Sequence, residues 1–113
     1  MLSIVLAVHR VLPDRAATPG AIATLTKKAA DRGAELILFA ETAVTGFVAT
    51  GDPAHDLPLG EPVPGPSTLA LAEVARQRCI WLGLGLYQRD GGRLYDSAVL
   101  LSPDGQVVNV PQR

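Results

Sequence analysis

Few side chains in this 113-residue sequence are placed to do chemistry, and Glu41 leads them. The apolar run Leu36-Ile37-Leu38-Phe39 passes through Ala40 into Glu41, and a turn of small residues, Thr42 to Gly46, follows. A carboxylate at the end of an apolar strand is costly to bury unless something there uses it. In open α/β sheets, sites are built at the carboxyl ends of the strands. Burial there suits Glu41 to general acid–base work. The alternative is a charge at a strand end that faces water, and the pattern alone supports both readings equally.

His9 also ends an apolar strand and lies close to Glu41 if the two strands pair. A His–Glu pair could orient an imidazole for proton transfer. No evident nucleophile completes a triad, which is recognised by geometry rather than residue type, so a satisfied or exposed strand-end histidine is the preferred reading. His55 lies in a Pro/Gly-rich stretch, and no ligand spacing joins it to His9, so no metal centre is expected. Cys79 follows a helical segment, where the helix dipole opposes a thiolate, although Arg76 and Arg78 could offset this. It reads as a small core residue. Gly83-Leu84-Gly85 lacks the third glycine and the strand-to-helix turn of a dinucleotide fingerprint.

The elements that must position these groups follow from pattern. Ile4-Val5-Leu6-Ala7-Val8 is a continuous apolar run of strand length, the type covered on both faces. Residues 11–17 form a loop, and Thr18-Pro19 reads as an N-cap followed by proline in the first helical turn. Ile22, Leu25, Ala29 and Ala30 recur at helical spacing, and Gly33 is a C-terminal stop. The strand at 36–39 follows at once, giving β-α-β of a length suited to parallel pairing.

Residues 49–66 carry five prolines and three glycines and are expected to form no regular element. Leu57 and Leu59 predict that this loop packs down. A helix over 67–77 leads into a strand over 80–87, where Leu82, Leu84 and Leu86 share one face and Gly83 and Gly85 the other. Alternate glycines allow close approach of another backbone, and tight packing is the preferred reading. Asp90-Gly91-Gly92 signals a hairpin, with the returning strand over 94–101. Ser102-Pro103-Asp104-Gly105 signals a second turn, with a strand starting at Gln106. The expected order is β-α-β-α-β-β-β, a parallel start followed by an antiparallel meander.

Composition narrows the setting. The hydrophobic fraction is 48%, the charged fraction 19% and the net charge −1, as in an ordinary globular protein. Nothing recommends nucleic acid or a membrane as partner. Lys27-Lys28, the only adjacent basic pair, reads as a solvated helix face. One cysteine permits no intrachain disulfide and suits a reducing compartment. The apolar run at residues 2–8 has no preceding basic region and is too short for a signal core or a span, so a cytoplasmic location is expected.

Taken together, these segments resemble the nitrilase superfamily of carbon–nitrogen hydrolases. Leu36 to Glu41 with Thr45-Gly46-Phe47 resembles the family's glutamate motif. Ala72-Glu73-Val74-Ala75 and then Ile80 to Tyr87 resemble the helix and glycine-containing strand that follow. Leu94-Tyr95-Asp96-Ser97-Ala98-Val99-Leu100-Leu101, with Pro103-Asp104-Gly105, is similar to the hairpin in which the family usually reads Tyr-Asn-Ser-Ala. Two positions depart: Ala40 stands where proline is usual, and Asp96 where asparagine is usual. If Asp96 came near Glu41, the second negative charge could raise the pKa of either group.

The resemblance implies an α/β fold, the N-terminal half of an α-β-β-α nitrilase-like sandwich. It implies a Glu-Lys-Cys triad in which glutamate is the general base, lysine stabilises the tetrahedral intermediate and cysteine attacks the nitrile or amide carbon. Only Glu41 carries over. There is no lysine after Lys28, and Cys79 precedes the hairpin and does not match the nucleophile motif. Residues 1–113 are thus expected to form a partial carbon–nitrogen hydrolase domain that stops before the family lysine and cysteine. The implied substrate is a small amide or nitrile, with no metal or organic cofactor. The implied macromolecular partner is a second copy or a complementary half-chain.

Overall fold

The computed structural model describes residues 3–7, 18–39 and 50–112. β1 (Ile4–Leu6), α1 (Thr18–Asp31) and β2 (Leu36–Leu38) form the expected β-α-β unit. β1 and β2 pair in parallel, Ile4 with Leu36 and Leu6 with Leu38. Helix α1 turns Ile22, Thr26 and Ala29 inward and leaves Lys27 and Lys28 exposed. Thr18 and Thr26 are fully buried, which the apolar spacing did not reveal. Thr26 meets the cost of burial by donating its hydroxyl to the Ile22 carbonyl at 2.9 Å. Gly33 then takes φ 86°, a left-handed conformation that glycine adopts without a Cβ penalty, and the chain turns directly into β2.

The stretch expected to hold no regular element contains two short helical turns. α2 (Pro53–Asp56) is followed by a 3-10 turn, Leu57–Leu59. The cause is local polar chemistry that overrides the proline content. Asp52 caps α2 by accepting from the Ala54 N–H at 3.1 Å, and Pro53, which has no N–H to leave orphaned, occupies the first turn. Leu57 and Leu59 are half-buried, so the segment does pack down.

α3 (Pro66–Arg78) begins at Gly65, where an added Cβ would lie 2.2 Å from the Pro62 carbonyl oxygen. Glycine is required there by close approach of backbone. The helix ends on Cys79, which has φ 54° and ψ 45°. Its N–H reaches the Arg76 carbonyl at 3.3 Å, and the Ile80 N–H reaches the Ala75 carbonyl at 3.1 Å. This left-handed cap puts Ile80 in the core at 0% exposure and turns Cys79 out to solvent. The expectation that Cys79 is a core residue is therefore corrected: the cap geometry exchanges it with its neighbour.

β3 (Trp81–Asp90) pairs in parallel with β2 and antiparallel with β4 (Arg93–Leu101), which pairs antiparallel with β5 (Val107–Gln112). The sheet order is β1-β2-β3-β4-β5, the parallel start and antiparallel meander read from the pattern. Asp90 faces Arg93 across the two-residue turn Gly91-Gly92. Helices α1 and α3 pack against each other over one face of the sheet. Ile37, Leu82, Leu84, Leu86, Val99 and Leu101 point into that layer with Ile22 and Leu71. On the other face, Ile4, Leu6, Leu38, Trp81, Val108 and Val110 are exposed.

Candidate active-site cleft

The strands that lead to Glu41 and His9 are adjacent. The Ala7 N–H donates to the Leu38 carbonyl at 2.9 Å, and the Phe39 N–H donates to the Gly83 carbonyl at 2.8 Å. Parallel pairing therefore extends to Phe39, two residues before Glu41. Glu41, His9, Ala40 and Thr45-Gly46-Phe47 themselves lie outside the described residues.

A cleft of about 550 Å³ opens on the uncovered face, with Phe39 and Gly85 toward the carboxyl end of the parallel strands and Leu38, Gly83, Leu100 and Val108 below. The two glycines make room for it. A Cβ on Gly83 would come within 2.7 Å of a Leu38 methyl group and 3.7 Å of one on Leu100. Tight packing beside Gly83 is thus observed, but against side chains of the same sheet. The cleft wall is apolar except at Asp96 and Ser97. Ser97 is buried and donates to Gln88 Oε1 at 2.8 Å. Asp96 is half-buried, and among the described residues its carboxylate has no hydrogen-bond or ion-pair partner.

The other sequence candidates stand apart from this cleft. Cys79 precedes the amino end of β3, six residues back from Gly85 and about 20 Å along the strand direction. His55 pairs with Asp56, its Nδ1 at 2.7 Å from Oδ1. Asp56 is buried and gathers the loop around itself. It accepts from the Thr50 N–H at 2.8 Å, the Thr50 hydroxyl at 3.1 Å and the Gly51 N–H at 2.7 Å. The hydrogen bond from His55, then that from the Thr50 backbone, hold its pKa down at about 2 against the opposing effect of burial. Sequence reasoning missed this clamp, although Asp52-Pro53 followed by Asp56 carries the signature of a capped turn.

Glu61 was missed as well. Its carboxylate accepts from the Ser67 N–H at 2.7 Å and the Ser67 hydroxyl at 2.8 Å, at the amino end of α3. Its backbone bonds to Tyr87 and Arg89 fasten that end to β3. A carboxylate there satisfies orphan N–H groups and faces the positive end of the helix dipole. Among the described residues, no group of three or more His, Cys, Asp or Glu could hold a metal ion. No helix there is long and apolar enough to cross a membrane.

Comparison with known proteins agrees with this architecture. Residues 4–113 match the carbon–nitrogen hydrolase family model. An (R)-stereoselective amidase of a Pseudomonas species is 36% identical over 71 residues, which cover 63% of this chain and 25% of the amidase. An omega-amidase of Mus musculus is 31% identical over 86 residues, covering 75% of this chain and 30% of that protein. The crystal structure of a carbon–nitrogen hydrolase from Helicobacter pylori superposes with a TM-score of 0.83 at 20% identity, over 97% of this chain and 39% of that one. The chain thus spans less than a third of the length of these curated relatives, and its α/β fold is a partial nitrilase-like sandwich. It belongs to the carbon–nitrogen hydrolase family, in the nitrilase superfamily.

Proposed function

We propose that residues 1–113 are part of a nitrilase- or amidase-type hydrolase acting on a non-peptide C–N bond of a small amide or nitrile, with Glu41 as its general base. The observation that carries this reading is the position of Phe39. It extends the parallel pairing at the carboxyl end of β2, lines the cleft and stands two residues before Glu41. In this reading Glu41 accepts the proton of an attacking thiol, and a lysine stabilises the tetrahedral oxyanion. Neither partner is found among these residues in a usable place. No lysine follows Lys28, and Cys79 sits at the far end of β3.

The chain alone is therefore expected to show negligible hydrolysis, since losing a covalent nucleophile costs orders of magnitude in rate. The lysine and cysteine would come from further sequence of the same polypeptide or from a complementary half-chain. The exposed apolar sheet face favours a second reading, a non-catalytic half-domain that assembles with a partner.

One experiment separates them. The chain is joined to the lysine- and cysteine-bearing part of a family member, and ammonia release from small amides and nitriles is followed. Turnover that falls at least a thousandfold in Glu41→Gln supports the hydrolase. A stable complex without turnover supports the assembly module. Turnover that survives Glu41→Gln removes Glu41 from the role of base.

A further inference from the structure

We propose that Asp56 is a positioning residue for the hydrolysis: its carboxylate fixes the point at which the segment carrying Glu41 rejoins the fold. The inference rests on the hydrolase reading above and adds a second residue to it. Residues 40–49 join Phe39 to Thr50. At the near end, the Phe39 N–H is held by the Gly83 carbonyl of β3 at 2.8 Å. At the far end, Asp56 takes the next two N–H groups of the chain, one on each oxygen. Thr50 donates to Oδ1 at 2.8 Å and Gly51 to Oδ2 at 2.7 Å. Bonds to two successive peptide groups set the direction of the chain as well as its position. Gly51, at φ 89°, makes the turn into α2 that brings Asp56 back onto them.

The clamp is itself tied to the strand that holds Phe39. The Asp56 N–H donates to the Asp52 carbonyl at 2.8 Å, closing α2. The 3-10 turn then leads to Gly60, which lies so close to β3 that a Cβ there would come within 2.9 Å of the Arg89 Cβ. Glu61 follows, donating its N–H to the Tyr87 carbonyl at 3.1 Å and accepting from the Arg89 N–H at 2.8 Å. Both ends of the Glu41 segment are thus referenced to β3, and Asp56 is the link at the far end that one substitution can open. Asparagine there offers one acceptor oxygen where two are used, and its NH2 group meets a donor. A general base works only within hydrogen-bond reach of the proton it takes. A reacting group displaced by about 1 Å can cost about a hundredfold in rate.

The test is a double-mutant cycle in the assembled hydrolase, read by ammonia release from propionamide. Asp56→Asn should lower kcat at least about tenfold while Glu41 is present. In the Glu41→Gln background it should lower kcat less than about twofold, because a residue that acts through the carboxylate has nothing left to position. Equal losses in the two backgrounds overturn the proposal, since they mark general damage to the fold. Full kcat in Asp56→Asn with Glu41 present overturns it as well.

Failure of the hydrolase reading shows separately, as a wild type without turnover or a Glu41→Gln variant that keeps it. In those cases, and where the Glu41→Gln rate is too low to compare, hydrogen exchange in the 113-residue chain decides. Amides of residues 42–49 should exchange at least about tenfold faster in Asp56→Asn than in the wild type, with those of Leu84 and Val99 unchanged. Equal rates at 42–49, or faster exchange throughout the chain, overturn the proposal.

Discussion

The two faces of one sheet are both apolar, and only one of them is covered. On the helix side, Leu82 and Leu101 are at 0% exposure and Leu86 at 1%, closed in by Ile22 and Leu71. On the other side Leu6 is 77% exposed, Val110 56% and Ile4 51%. A sheet with one face in water normally alternates apolar with polar residues. Here the alternation along β3 is between large and small, leucine with glycine, and the neighbouring strands present valine, leucine and isoleucine to the open side. The open face thus has the chemistry of an interior. That fits a partial α-β-β-α sandwich, in which a second sheet lies against this one.

The largest effect expected from this contrast is on the covered face. Leu82→Ala should destabilise the chain by about 2–5 kcal/mol, the usual cost of deleting a buried leucine side chain and leaving a cavity. Its neighbour in sequence, Gly83, points to the open side. Gly83→Ala brings a Cβ against the far end of Leu38, a side chain 36% exposed and able to swing aside, so its cost should stay below about 1.5 kcal/mol. Urea denaturation of the two variants reads the comparison directly. Equal losses would show that the open face is packed in solution, as it would be in a self-associated chain.

Much of this arrangement was legible in the sequence because it depends on short-range rules. The β-α-β start, the Gly91-Gly92 hairpin, the turn at Gly105 and the leucine–glycine alternation of β3 each follow from a local pattern that tertiary packing then reinforces. The misses share a different cause. Asp56, Glu61 and Cys79 are decided by which backbone groups happen to approach. Asp56 collects N–H groups five and six residues back, Glu61 spans from a β bridge to a helix start, and Cys79 is turned outward by a left-handed cap. Composition reports proline and glycine in such segments but not the carboxylate that organises them. Glu41 was legible as a candidate from its strand-end position, and Asp96 only through the resemblance. The register of β4 then put Asp96 on the cleft wall.

The loop offers a polar counterpart to the apolar contrast. Asp56→Asn keeps the shape of the side chain and removes the charge that Thr50, Gly51 and His55 converge on. The folded pKa of about 2 lies below the ordinary 3.8, so the carboxylate stabilises the fold fully above about pH 4. That contribution is lost as pH falls from about 4 toward 2. The variant should unfold at lower urea than the wild type at pH 7, and the gap should close as pH approaches 2. A gap that persists at low pH would mean that Asp56 acts through packing, as the leucines of the covered face do.

The smallest expected effect is also the most discriminating. Val110→Thr exchanges a methyl for a hydroxyl of nearly equal size at a position 56% exposed. In this chain the hydroxyl meets water, and the change should stay within about 0.5 kcal/mol. In an assembled hydrolase with the face covered, the same hydroxyl must leave water without a partner, at a cost of about 1–3 kcal/mol. The difference between the two measurements isolates coverage of the face from the fold beneath it, because both compare identical side chains on the same strand. A difference near zero would mean that Val110 stays wet in the assembly, confining the covering layer to the β1–β3 side of the sheet.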